Sequence, residues 1–295
     1  MQSRLLRHFL AVAEKRNITS AAEALNISQP AITRSVRQLE LIVGVTLFER
    51  LPTGVALTPQ GEILARRAKL MDLEYRHALA EISAHDQGLT GMLRIGAGPV
   101  WATALLPKVI ATFFRQYPRV KTRMTTGVID TLVPDLLSGE IDIICSTLDF
   151  SAQPEIVKEP LLAIRHIVVA RASHPLANAG TVTAEQMTNY PWVVLADDRV
   201  GTSRIGSYFA ANGIAPPTIA VETVTTGIMK ILVEGDFLAH FPERMLEDAQ
   251  KFGLVRVPHD GTFWESQAGI AFRRTTRPIR PVESFKAILR ASLAT

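Results

Sequence analysis

Apolar positions follow helical spacing through about the first ninety residues, then change to short β-prone runs alternating with helical stretches. Leu6, Phe9, Leu10 and Ala13 share one face of a first helix predicted over residues 3–15. Thr19 or Ser20 can cap a second helix running through Leu25, because a short hydroxyl side chain accepts an orphan amide hydrogen bond there; Ala21, Ala22 and Leu25 face inward. Asn26-Ile27 forms the turn. Ser28 is expected to cap a third helix. Pro30 falls in its first turn, where a missing N–H costs nothing, and Ile32, Val36 and Leu39 make its buried stripe. Residues 47–50 and 55–58 are β-prone, and Leu51-Pro52-Thr53-Gly54 between them carries turn residues, so the pair reads as a small hairpin.

Thr58 as cap and Pro59 at the first position open a long helix. Its apolar or small residues, Leu64, Ala68, Met71, Tyr75, Ala78 and Ile82, recur at steps of 4 and 3, a heptad seam that is buried against another helix. Residues 87–91 break the pattern and read as a linker. Beyond it, strands are predicted at 93–97, 120–124 and 141–145, with helices at 107–117 and 131–138. A second block holds strands at 166–170, 192–195, 219–222 and 237–241, a capping box at Thr183 and Gln186, and helices at 203–212 and 226–234. A strand at 269–273 and a helix at 282–293 close the chain. The alternation predicts parallel strands with crossover helices, in two lobes whose facing strand ends make a ligand cleft.

Composition fits this picture. The 295 residues suffice for two or three domains, and 47% hydrophobic with 20% charged residues excludes a disordered chain. The net charge of +4 is mild, yet the first sixty residues hold seven Lys or Arg against four Asp or Glu, which permits a phosphate-bearing partner there. The single cysteine, Cys145, excludes a disulfide within the chain and reads as a small core residue. No signal peptide and no apolar run of ~20 residues is evident, so a cytoplasmic protein with no membrane partner is expected. Nucleophile elbows, Walker loops, zinc-protease motifs and metal-ligand clusters are missing from the sequence. Gly96-Ala97-Gly98 lacks the third glycine of a dinucleotide fingerprint. The expectation is therefore a protein that is not an enzyme and carries no cofactor.

Two helices joined by a tight turn, the second with a polar outward face, make a helix-turn-helix whose second helix enters the major groove. Ser28, Gln29, Pro30, Thr33, Arg34 and Arg37 are its candidate DNA contacts. Gln pairs with adenine, Arg with guanine or phosphate, and the Pro ring or Thr methyl with a thymine methyl. Arg50 and Thr53 at the hairpin are placed to follow the backbone.

Ala21-Ala22, Leu25, Ser28-Gln29-Pro30-Ala31, Leu39-Glu40, Gly44, Leu47-Phe48-Glu49-Arg50 and Leu57-Thr58-Pro59-x-Gly61 together resemble the N-terminal domain of LysR-type transcriptional regulators, without gaps over residues 9–64. Arg94-Ile95-Gly96, Leu105-Leu106-Pro107, Leu137-x-Gly139-Glu140-x-Asp142 and His174-Pro175-Leu176 are similar to later landmarks of that family, so the resemblance covers essentially the whole chain. It implies an N-terminal all-α winged helix-turn-helix over 1–58, a linker and dimerisation helix over 59–88, and a C-terminal α/β, two-lobed, periplasmic-binding-protein-like effector domain over 91–295. The lobes would span about 91–162 with 267–295, and about 163–266. The implied function is sequence-specific DNA binding, or DNA bending, modulated by a small-molecule effector between the lobes. The implied partners are double-stranded DNA with inverted half-sites, RNA polymerase, and further copies of the chain as a dimer and then a tetramer.

The resemblance places the effector near Pro99, Val100 and Trp101 after the first strand and Gly127 and Val128 after the second, with Thr202, Ser203 and Arg204, and then Thr225, Thr226 and His240, as candidate polar groups from the other lobe. Several relatives carry hydroxyl residues at the positions of Val100 and Val128, where they hold an inducer carboxylate; this chain departs from them. The turns suggest a partly apolar pocket for a small aromatic or other organic acid, or a sugar-derived metabolite. Trp101 can equally be a packing residue, Thr202 or Ser203 a helix cap, and His240 a core histidine.

Overall fold

The structure, a computed structural model, describes residues 4–87, 91–259, 261–274 and 279–294. The predicted start of the first helix at residue 3 and the linker residues 88–90 lie outside the described residues. The chain divides into two compact units, one built on residues 1–91 and one on residues 92–136 and 140–295.

The first unit contains α1 (Arg4–Lys15), α2 (Ile18–Ala24), α3 (Gln29–Val43), the hairpin β1 (Phe48–Leu51) and β2 (Gly54–Leu57), and α4 (Pro59–Gln87). Val12, Ala21, Ala22, Ile32, Val36 and Val55 bury together, and Phe9, Leu39, Leu47 and Ala65 form a second cluster. The stripe predicted for α3 is therefore its core face. Two caps differ from expectation. Asn17, not Thr19 or Ser20, caps α2: its backbone is extended and its side-chain oxygen accepts from the Ser20 amide at 3.1 Å. Ser28 holds the cap position of α3, but its side chain makes no capping hydrogen bond. Thr58 does cap α4, accepting from the Gly61 amide at 3.0 Å. Gly61 is required there, since a Cβ would stand 2.2 Å from the Leu47 carbonyl oxygen. Of the heptad seam, Ala68 is buried, whereas Met71, Tyr75, Ala78 and Ile82 are exposed.

The second unit opens with β3 (Gly91–Ala97), a π-helical turn (Trp101–Leu105), α5 (Leu106–Gln116), β4 (Val120–Thr126), α6 (Ile129–Ser138) and β5 (Ile143–Thr147). The chain then crosses on β6 (Ile156–Arg171) to a second lobe of α7 (Ala184–Thr188), β7 (Trp192–Leu195), α8 (Arg199–Ala211), β8 (Ile219–Thr223), α9 (Thr225–Glu234) and β9 (Ala239–Pro242). A short 3-10 turn, α10 (Leu246–Gln250) and β10 (Leu254–Arg256) complete that lobe before β11 (Trp264–Arg273) returns and α11 (Arg280–Leu293) packs beside α5.

Parallel pairing holds within the lobes, for β3 with β5 and for β7 with β8. The crossing strands depart from the all-parallel expectation. β11 runs antiparallel to both β5 and β6, and β6 antiparallel to β9 and β10. The predicted strands at 166–170 and 269–273 are only the apolar ends of β6 and β11. Lys158, Glu159, Pro160 and Arg165 interrupt the apolar pattern over the rest of β6. Pro160 fits because the β6–β11 register shifts beside it, between Ala268 and Gly269. A Cβ at Gly269 would stand 2.1 Å from the Glu159 carbonyl oxygen.

Gly269→Ala is expected to destabilise the second unit by roughly 1–3 kcal/mol through this backbone clash. Urea unfolding checks it as a lowered midpoint at unchanged slope, and an unmoved midpoint would show that the crossing yields.

Candidate functional site

In the first unit, burying Ile32, Ser35, Val36 and Leu39 turns the other side of α3 outward. Ser28, Gln29, Pro30, Arg34 and Arg37 are exposed and Thr33 is half-buried; Arg50 and Thr53 are exposed on the hairpin. The Arg34 Nε donates to the Pro30 carbonyl at 3.3 Å, which lays that guanidinium back along the first turn of α3. Two contacts that the sequence did not announce orient this face. His8 Nδ1 meets Ser35 Oγ at 2.8 Å in the interior between α1 and α3. Burial, then Arg7 and Arg4, hold the His8 imidazole below its ordinary pKa. The Glu40 carboxylate accepts from the Leu47 and Phe48 amides at 2.8 and 3.4 Å, tying the end of α3 to the hairpin.

In the second unit, a cavity of about 90 Å³ lies between the lobes. Pro99, Val100, Trp101, Gly127 and Val128 line it from one lobe, and His240 with Leu195, Val200, Phe241 and Met245 from the other. Ser203 instead lines a neighbouring open groove, and Thr202 lies on the exposed side of α8 in neither space. The cap of α8 is Asp198, so neither Thr202 nor Ser203 has that role. Asp197, in the left-handed region at φ 61°, turns the chain so that the Asp198 carboxylate accepts from the Gly201 amide at 2.9 Å and also lines the cavity. Burial raises the Asp198 pKa; the Gly201 amide opposes this and Asp130 adds to it.

The polar heart of the cavity is a histidine pair. The β6–β9 register sets Val168 opposite His240 and Pro242 opposite His166, so the two imidazoles are diagonal neighbours on one face. Their Nδ1 atoms are 3.4 Å apart, Ser266 Oγ lies 3.3 Å from His166 Nε2, and Trp264 stacks on His166 with centroids 4.6 Å apart. Burial, then His240 and Arg204, push His166 down to about 2, and burial pushes His240 down to about 4; both rings are neutral near pH 7. The indole N–H of Trp101 is buried without a hydrogen-bond partner. Cys145 is buried and its thiol pKa is raised by burial, so it lacks the thiolate character of a reactive cysteine.

His166, Ser266, Ser146 and Asp198 line the cavity without any forewarning in the sequence. His166 and His240 are 74 positions apart, and no local spacing signals that two antiparallel strands bring them together. Across the neighbouring groove, Asp130 Oδ2 accepts from the Arg199 amide at 3.1 Å, and Arg204 pairs with Asp149 at 3.1 Å; each contact joins the two lobes. Among the described residues no helix is long and apolar enough to cross a membrane, and no group of three metal-ligating side chains is assembled.

The family model for bacterial regulatory helix-turn-helix proteins of the lysR family matches residues 3–62, and that for the LysR substrate binding domain matches residues 86–294. The HTH-type transcriptional regulator PcaQ of Agrobacterium fabrum is 26% identical over 293 residues, covering 97% of this chain and 93% of that protein. The crystal structure of full-length CbnR complexed with its target DNA is similar in fold, with TM-score 0.70, 23% identity and coverage of 99% and 100% of the two chains. A full-length OxyR variant from Pseudomonas aeruginosa has TM-score 0.69 and 22% identity, covering 97% of this chain and 93% of its own.

The neutral histidine pair makes stability depend on pH. An unfolded imidazole titrates near 6.5, above both folded values, so the unfolded chain takes up protons first on acidification. Stability is full above about pH 6.5 and falls between there and about 4 for His240. The slope is on the order of 1.4 kcal/mol per pH unit for each histidine. Urea midpoints at about pH 7.5 and about pH 5 check this, and equal midpoints would contradict the desolvated pair.

Proposed function

This chain belongs to the LysR family of DNA-binding transcriptional regulators, and from that premise we propose how its parts divide the work. Residues 1–58 read an inverted-repeat operator, residues 59–88 pair two copies, and residues 91–295 sense a small molecule between lobes of about 91–162 with 267–295 and about 163–266. The observation that carries the reading is the outward face of α3. Its polar residues stand free of the core while the opposite stripe is buried, as insertion into a major groove demands. Gln29 and Arg34 read base edges; Arg37, Arg50 and Thr53 hold phosphates; Ser28, Pro30 and Thr33 pack at the groove floor and wall.

Pairing is supported by the exposed half of the α4 seam, where Met71, Tyr75 and Ile82 offer an apolar stripe to a second copy. Two such pairs form a tetramer, and a ligand acts by favouring one arrangement of the DNA-binding pairs, which changes bending and contact with RNA polymerase in the cytoplasm. Pro99, Val100, Trp101, Gly127, Val128 and His240 contact the effector. Ser203 and Thr202 are left to the lobe edge.

The direct test combines DNA footprinting with a thermal-shift screen against metabolites. A protected, symmetric site whose length or affinity changes with a stabilising compound is expected; no compound raising stability would leave the second unit an assembly domain. Arg34→Ala is expected to cost about 1–3 kcal/mol of operator affinity and relax base preference, whereas Arg37→Ala weakens all sequences alike and lowers the salt slope by about 1. Ile82→Asp is expected to lower the association constant in sedimentation equilibrium, and unchanged association would remove α4 from the interface.

A further inference from the structure

We propose that the inter-lobe cavity takes an uncharged ligand, a compact ring compound carrying one hydroxyl or carbonyl group, and does not take a carboxylate. The inference rests on the sensor reading above and concerns the same site. Three observations carry it. First, among the described residues no Lys or Arg lines the cavity, and its carboxyl group, Asp198, offers no counter-charge to an anion. Second, its hydrogen-bonding groups are neutral. The His166–His240 pair, backed by Ser266 and packed under Trp264, offers imidazole nitrogens and hydroxyls in place of a counter-charge. A buried anion facing two uncharged imidazoles and a carboxyl group would forgo its hydration, while the Arg204 charge lies in the neighbouring groove and is paired with Asp149. Third, Pro99, Trp101, Leu195 and Phe241 line the cavity with apolar and aromatic surface, which suits a neutral ring. The valines at 100 and 128 complete an apolar wall where a carboxylate site would need donors. At about 90 Å³ the cavity is small and partly open, which favours a compact ligand.

The test compares isosteres on the full chain. Benzyl alcohol and phenol are titrated against benzoate by calorimetry, and histidine side-chain nitrogen shifts are followed by NMR. The expected result is at least tenfold tighter binding of a neutral compound, with the two cavity histidines' signals moving. Val128→Lys, at a half-buried position on the cavity wall, adds a cation and is expected to move the preference toward benzoate by at least tenfold. Benzoate binding the unaltered protein as tightly as benzyl alcohol overturns the proposal while upholding a sensor. Binding that leaves the histidine signals unmoved, or no binding of any of the three at millimolar concentration, overturns it too. The sensor reading then stands or falls separately on the metabolite screen.

Discussion

The second unit depends on two strands that belong to both of its lobes. β6 and β11 pass antiparallel between them, and at the crossing the Gly269 backbone lies against the Glu159 carbonyl with no space for a side chain. The lobes cannot translate apart without breaking this ladder, so their freedom reduces to bending about it. The crossing also carries chemistry, since Ile164, His166 and Ser266 project from these strands into the cavity. A molecule held there touches both lobes and the element about which they turn, which is the geometry needed for binding energy to become a change in shape.

The first unit meets a related constraint with different means. A groove-reading helix must offer polar groups outward while its orientation is fixed from behind. Apolar packing of Ile32, Val36 and Leu39 supplies most of that anchorage. The His8–Ser35 contact and the Glu40 carboxylate on the hairpin amides add direction, because hydrogen bonds fix rotation more sharply than non-directional apolar contact.

How much of this the sequence carries follows from which signals are local. Helical spacing locates α1 through α4, and a turn-rich tetrapeptide locates the hairpin. Thr58 and the Thr183–Gln186 box are legible because a cap lies within three residues of its partner. Asn17 is hidden because Thr19 and Ser20, two good capping types, stand beside it, and only the extended backbone at residue 17 decides among the three. The crossing strands read short because charges and Pro160 mask their β pattern, and their antiparallel sense is a tertiary fact. For the cavity, the turns after β3 and β4 are visible as loops at strand ends. The histidine pair is not, since it arises from register between strands remote in sequence. Thr202 enters the expected site only through its neighbours on the chain; α8 begins at Arg199, earlier than the pattern suggests, and turns that hydroxyl to solvent.

Two polar contacts cross the open groove between the lobes. The amide end of α8 attracts negative charge, and Asp130 from the facing lobe already meets it. Arg204 and Asp149 add a second contact across the same groove. The arginines are exposed and the two carboxylates half-buried, so these contacts contribute modestly and salt screens them in part. The contacts that join the two rims of the groove are thereby ionic or charge-assisted, where the crossing strands are joined by a backbone ladder, so added salt weakens the one kind of lobe-to-lobe contact and leaves the other intact.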